Sequence, residues 1–151
     1  SLRGGDIMKL YTIGFTKKNA EQFFGKLNAA GLTKVVDTRL NNVSQLAGFT
    51  KKEDLRFFLS EILGIEYVHM PLLAPPKDIL DAYKKDGGDW ETYEQKFTAL
   101  MRSRHIESKL DASFLDGACL LCSEPTPHHC HRRLVAEYLR DQWGNTEIKH
   151  L

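Results

Sequence analysis

Cysteine is scarce in this chain, and neither sign of charge is in real excess. Three cysteines (Cys119, Cys122 and Cys130) in 151 residues are too few, and odd in number, for a disulfide scaffold. They read as free thiols, ligands or nucleophiles in a reducing compartment. Lys and Arg total 21 against 20 Asp and Glu, a formal net charge of +1, so no global field draws in nucleic acid or an anionic membrane. No apolar run approaches the roughly 20 residues of a membrane span, and the opening Ser1-Leu2-Arg3-Gly4-Gly5-Asp6 has no apolar secretory segment. A cytoplasmic location is expected.

Several familiar site motifs are missing as well. A phosphatase-type or rhodanese-type loop places an arginine six residues beyond its cysteine, but Pro125, His128 and Ala136 follow Cys119, Cys122 and Cys130 at that distance. Gly14 is the only glycine at the first strand-helix turn, which excludes both the dinucleotide fingerprint and the P-loop. No G-x-S-x-G elbow is present either.

What remains is an ordinary globular composition, 42% hydrophobic and 27% charged, long enough for one core and cramped for two. Residues 1–7 carry no periodic pattern and read as an N-terminal extension or cloning remnant, leaving 8–151 as a single α/β domain. Strands are expected at Leu10–Ile13, Val35–Asp37, Tyr67–Met70, Ala118–Cys122 and Thr146–His150. Helical patterns lie between them. Leu55, Phe58, Leu59, Ile62 and Leu63 share one face of a helix that begins with a Thr50/Glu53 capping box and stops at Gly64. Gly31 and Gly144 mark the ends of the first and last helices. A two-helix insert fits 76–104, broken at Gly87-Gly88, with Tyr93, Phe97, Leu100 and Met101 as its buried stripe. Such alternation predicts a three-layer, Rossmann-like α/β sandwich on a mostly parallel five-stranded sheet, with the first strand central.

Ligands of open α/β sheets bind beyond the carboxyl ends of the strands, where this chain is unusually polar. Lys17, Lys18, Arg39, Lys51, Lys52, Arg132 and Arg133 fall there, joined by helix N-termini whose free amides favour anions. The expectation is a site for an anionic ligand bearing phosphate or carboxylate, with a nucleotide or nucleic-acid end among the candidates. A plain solvated face explains the lysines equally well. Arg39 stands where it either pairs with Asp37 or clamps a ligand. Cys130, at a helix start between His129 and His131, has the surroundings that lower a thiol pKa and make a nucleophile. Cys119 reads as core, and Cys122, at the exit of its strand, is positioned to face Cys130. Glu124 and Asp37 are the candidate proton-handling carboxylates. His69 reads first as a satisfied core histidine.

These residues, in order, resemble the domain-of-unknown-function family 488. The resemblance is carried by Thr12-Ile13-Gly14-Phe15-Thr16, by Asp37-Thr38-Arg39 with Ser44 and Phe49-Thr50-Lys51, and by Tyr67-Val68-His69. Cys122-Ser123-Glu124, Cys130-His131-Arg132 and the closing His150-Leu151 complete it. The resemblance implies a small prokaryotic α/β protein and brings no settled reaction or cofactor. Carried over residue by residue, it points to Gly14, Asp37, Arg39, Ser44, Cys122, Glu124, Cys130, His131 and Arg132. Many relatives have a His-Ser pair after the glycine; Phe15-Thr16 stands here, so no chemistry of this chain depends on a histidine there.

Taken together, the first reading is an enzyme with Cys130, Glu124 and Asp37 as catalytic groups. Gly14, Thr16, Arg39, Ser44, Lys51, His131 and Arg132 are its ligand-binding groups. A non-catalytic module binding nucleic acid or a phosphorylated ligand is the alternative. A third reading is a metal site drawn from Cys122, Cys130 and His131 with His128, His129 or Glu124, at a spacing that matches no standard zinc site. No membrane partner is expected, and oligomeric state is not legible.

Overall fold

Five short strands build the sheet, apolar throughout in the interior strand Ala118–Cys122 and largely polar in the edge strand Thr146–His150. A computed structural model of the chain describes residues 6–42 and 48–151. The strands are β1 (Met8–Gly14), β2 (Lys34–Asp37), β3 (Glu66–His69), β4 (Ala118–Cys122) and β5 (Thr146–His150). All pair in parallel, in the order β3-β2-β4-β1-β5. The first strand is therefore interior but not central. That place belongs to β4, every residue of which is buried, because the long insert returns the chain between β2 and β1.

Helix α1 (Ala20–Ala30) and helix α2 (Lys52–Phe58) cover one face. Their Phe23, Leu27, Leu55 and Leu59 pack on Ile13, Val35, Cys119 and Leu121. The other face carries α3 (Lys77–Lys84), α4 (Trp90–Arg104), two single turns α5 (Ile106–Lys109) and α6 (Ala112–Leu115), and α7 (His131–Trp143). There Phe97, Met101, Val135 and Leu139 meet Leu10, Val36 and Leu120. Neighbours such as Val35 and Val36 thus serve opposite cores, as alternation along a strand requires.

Two local expectations are corrected. The Thr50/Glu53 capping box is absent: α2 starts at Lys52, its cap residue Lys51 makes no side-chain cap bond, and Thr50 is buried in a 3-10 turn over Gly48–Thr50. A capping box stands instead at Asn19 and Gln22, opening α1. Ile62 does not join the core stripe. The helix widens into a π turn at Leu59–Leu63 before Gly64 closes it, which rotates Ile62 outward to 56% exposure. Gly31, Gly64 and Gly144 do end their helices at positive φ. No helix among the described residues is long and apolar enough to cross a membrane.

The chain leaves β1 for α1 on one face and leaves neighbouring β4 for α7 on the other, so their carboxyl ends diverge and open a crevice. Leu59 and Ile62, three residues apart on that unusual turn, differ in burial. Leu59→Ala is expected to cost about 2–5 kcal/mol and Ile62→Ala no more than about 0.5, read from urea unfolding midpoints. Equal losses would mean that the π turn does not form.

Candidate functional site

The crevice holds a cavity of about 260 Å³. Phe15 enters it from the end of β1, Arg39 from β2, and Cys122, Ser123 and Glu124 from β4. The turn before α7 supplies His129, Cys130 and His131, and the insert closes the opposite wall with Tyr83, Lys84 and Tyr93. These residues span most of the chain, so only the fold assembles them.

Arg132 forms the floor. Although it is a cation, it has no exposed surface. Its Nη1 donates to the Glu124 carbonyl at 2.8 Å and to the Cys122 sulfur at 2.9 Å, and its Nε donates to the Thr12 hydroxyl at 3.1 Å. The Thr12 hydroxyl then lies 2.6 Å from His150 Nδ1. Among the described residues no carboxylate pairs with Arg132, and its buried Nη2 has no hydrogen-bond partner at all. Burial pulls its pKa down to about 10, opposed by Cys119 and Glu124; it remains a cation at neutral pH. The sulfurs of Cys122 and Cys130 lie side by side. Cys130 is the cap residue of α7 and makes no side-chain cap bond.

Gly14 makes this packing feasible. A Cβ at that position would stand 1.5 Å from the Glu124 carbonyl oxygen and 2.9 Å from Arg132 Nη1. Only a glycine lets the loop after β4 close over the end of β1, where Phe15 and Thr16 donate to the carbonyls of Cys122 and Ser123.

A second buried arginine is used differently. Arg39 Nε and Nη2 grip the two oxygens of Asp37 at 2.9 and 2.8 Å, and Nη2 also donates to the Thr50 carbonyl. The Tyr67 hydroxyl donates to Asp37 at 2.5 Å; burial, then this carboxylate, push the Tyr67 pKa up. Asp37 is fully buried and does not line the cavity; it orients Arg39, which does. His69 Nε2 lies 2.9 Å from the Arg39 carbonyl, so the same knot ties β3 to β2.

His131 Nε2 sits 2.8 Å from the Thr38 carbonyl. A carbonyl only accepts, so that nitrogen carries the proton. Burial pulls the His131 pKa down to about 4, helped by the charges of Arg132 and Lys84 and opposed by Thr38. The ring is neutral at pH 7. Glu124, at the rim, pairs with Lys84, a partner 40 residues distant that no local signal announced. The contributions of Thr38, Thr12 and Tyr83 were equally invisible, since each depends on a neighbour brought in by the sheet or the insert.

The remaining expected residues lie elsewhere. Among the described residues Lys17, Lys18, Lys51, Lys52 and Arg133 are not part of the cavity wall. Lys18 reaches the Pro125 carbonyl, and burial followed by the nearby charges of Arg132 and Lys26 lowers its pKa. Lys52 lines a separate open groove beside β3 with Arg56 and His69. Arg133 binds the His128 carbonyl and Glu137, holding the turn before α7. Thr16 contributes its backbone rather than its side chain. Ser44 lies outside the described residues. No group of three or more His, Cys, Asp or Glu is placed to hold a metal ion among the described residues.

These features define a class: a three-layer α/β protein on an all-parallel sheet, with a thiol pair and a buried guanidinium where the connections diverge. The chain belongs to the family of the domain of unknown function DUF488, whose model matches residues 19–139. Gly14 and His150 fall outside that span. No curated protein and no solved structure matches the chain.

Two measurements follow from the geometry. Gly14→Ala is expected to cost several kcal/mol or to prevent folding, because backbone rather than a flexible side chain occupies the space; a urea midpoint unchanged from wild type would contradict it. The His131 pKa falls from 6.5 to about 4 on folding, so the unfolded chain binds the extra proton between those values. Stability contributed by neutral His131 is complete above pH 6.5 and lost as pH falls toward 4, an effect on the order of 3 kcal/mol. His131→Asn should flatten that part of the stability–pH curve relative to wild type.

Proposed function

We propose that the chain is an enzyme that holds a small anionic substrate in the strand-end crevice and uses Cys122 as its nucleophile, with Arg132 keeping that sulfur ionised. One observation carries the reading: a fully buried guanidinium with no carboxylate partner has its Nη1 2.9 Å from the Cys122 sulfur. A buried cation without an anion costs several kcal/mol, and a reduced Cys122 thiolate supplies the anion. Charge-assisted donation to sulfur is also what lowers a thiol pKa into the working range. Cys130, the nucleophile expected from sequence, becomes the neighbouring thiol at the helix start.

Arg39 and Lys84 are the cations on the cavity wall and would receive the acidic group of the substrate. Phe15, Tyr83 and Tyr93 would take its apolar part. A cavity near the lower limit of small-molecule pockets suits a small molecule or the end of a larger one. Asp37 has the role of a positioning residue for Arg39. A cytoplasmic setting agrees with a thiol kept available as thiolate.

The test is alkylation of the reduced protein by iodoacetamide across pH, read by peptide mass spectrometry. Cys122 should react with a midpoint below the free-thiol value of about 8.5, and Arg132→Met should raise it by roughly one unit or more. A midpoint at or above the free value would overturn the assignment. Thermal shifts separate the alternative: an enzyme of this kind is stabilised by small phosphates or carboxylates and less so after Lys84→Ala. A nucleic-acid module would instead bind oligonucleotides in a salt-sensitive way that is indifferent to Cys122→Ser.

A further inference from the structure

The adjacent sulfurs of Cys122 and Cys130 form a dithiol–disulfide couple to which the site gives a direction. Both residues line the cavity, and their sulfurs lie side by side next to a guanidinium whose Nη1 donates to Cys122 and whose Nη2 has no hydrogen-bond partner among the described residues. In the disulfide form the buried cation faces a neutral sulfur. Reduction places a thiolate there and pairs it, so Arg132 favours the reduced state over the disulfide. A couple stabilised on its reduced side accepts electrons readily, and its better leaving group is the stabilised sulfur, Cys122. That leaves Cys130 as the sulfur to be attacked. It caps α7, a helix of 13 residues, whose N-terminal amides and dipole attract an incoming anion.

The rest of the cavity says what that anion carries. Around the disulfide stand Arg39, Lys84 and Arg132 against Asp37 and Glu124, an excess of one positive charge. The walls are otherwise largely apolar and aromatic. The carboxylates there and His131 are already engaged. Both Asp37 oxygens are bonded, His131 Nε2 is held by Thr38, and Glu124 is bound to Lys84.

Resting on the assignment of Cys122 as an Arg132-held thiolate, we infer that the crevice catalyses thiol–disulfide exchange in which the Cys122–Cys130 disulfide oxidises low-mass anionic thiols. The substrate thiolate attacks Cys130 Sγ. The bond between the two protein sulfurs breaks, and its electron pair leaves on Cys122 beside Arg132. A second substrate thiolate attacks the substrate sulfur of the mixed disulfide, releasing the substrate disulfide and a Cys130 thiolate, which takes a proton from solvent. Two electrons have passed from two thiols to the protein pair, and exchange with another disulfide, the oxidant, restores it.

The experiment uses the full oxidised chain with mercaptoacetate, 2-mercaptoethanol and cysteamine, which are anionic, neutral and cationic. Each rate of reduction is followed by acid quench, alkylation and mass spectrometry. It is divided by the same thiol's rate with 2-hydroxyethyl disulfide to remove intrinsic reactivity. Mercaptoacetate should exceed cysteamine by roughly tenfold, and the gap should narrow in Lys84→Ala, an exposed substitution. In a glutathione redox buffer, Arg132→Met should move the equilibrium toward the disulfide by roughly tenfold, which is about 30 mV for this two-electron couple. A flat charge series, or an equilibrium indifferent to Arg132, overturns the inference. If Arg132→Met does not fold, the charge series on wild type and Lys84→Ala decides alone. Cys122 alkylation with a lowered midpoint but a flat series overturns this inference and leaves the nucleophile; an ordinary midpoint overturns both.

Discussion

Burial of the Arg132 side chain at the junction of β1, β4 and α7 is the constraint around which the functional end of this molecule is arranged. A guanidinium withdrawn from water must find acceptors for its donors and a negative charge for its positive one. The acceptors come from Thr12 on β1 and from Glu124 just past β4. Gly14 is needed because the Glu124 carbonyl passes through the space that any side chain there would fill. The negative charge is the demand that no carboxylate among the described residues meets, and Cys122 is the group in position to meet it. The chemistry of the site follows from that unmet demand.

Comparison of the two buried arginines sharpens the point. Arg39 has a dedicated carboxylate, Asp37, with Tyr67 donating to the same group and the Thr50 carbonyl taking a further bond. It is a closed ion pair that ties β2 to β3 and to the turn before α2, and it presents the remaining edge of the guanidinium to the crevice. Arg132 has no such closure. One arginine is closed by a carboxylate and the other lies against a sulfur, although sequence position alone makes them look alike: each follows a strand end or opens a helix, and each sits near a Cys or an Asp.

How far the chain could be read before folding depends on the range of the interactions concerned. Strand β4 and strand β5 were legible to the residue, since runs bounded by glycine and turn residues are local signals. The glycine stops at 31, 64 and 144 were legible for the same reason. The capping box at Thr50 was misread because a buried carbonyl contact to Arg39 holds Thr50 in a 3-10 turn, and a tertiary bond outranks a local cap. Ile62 was misplaced because period counting assumes 3.6 residues per turn, and a π turn breaks the count. Facing of Cys122 toward Cys130 was anticipated from strand-exit and helix-start positions, and Cys130 was expected as nucleophile where the proposal above prefers Cys122. That choice turns on which sulfur the guanidinium touches.

By itself, then, the amino-acid order determined the alternation of strands and helices, the covered parallel sheet and the clustering of polar groups just past the strand ends, because hydrophobic period, capping and glycine conformation act within a few residues. Tertiary structure alone decided that β4 lies at the centre and that Lys84 rather than Lys17, Lys51 or Lys52 meets the crevice. It also decided that Arg132 is buried without a carboxylate. Each of those is an outcome of contacts between segments tens of residues apart, set by crossover direction and by which charges the packed core leaves uncompensated.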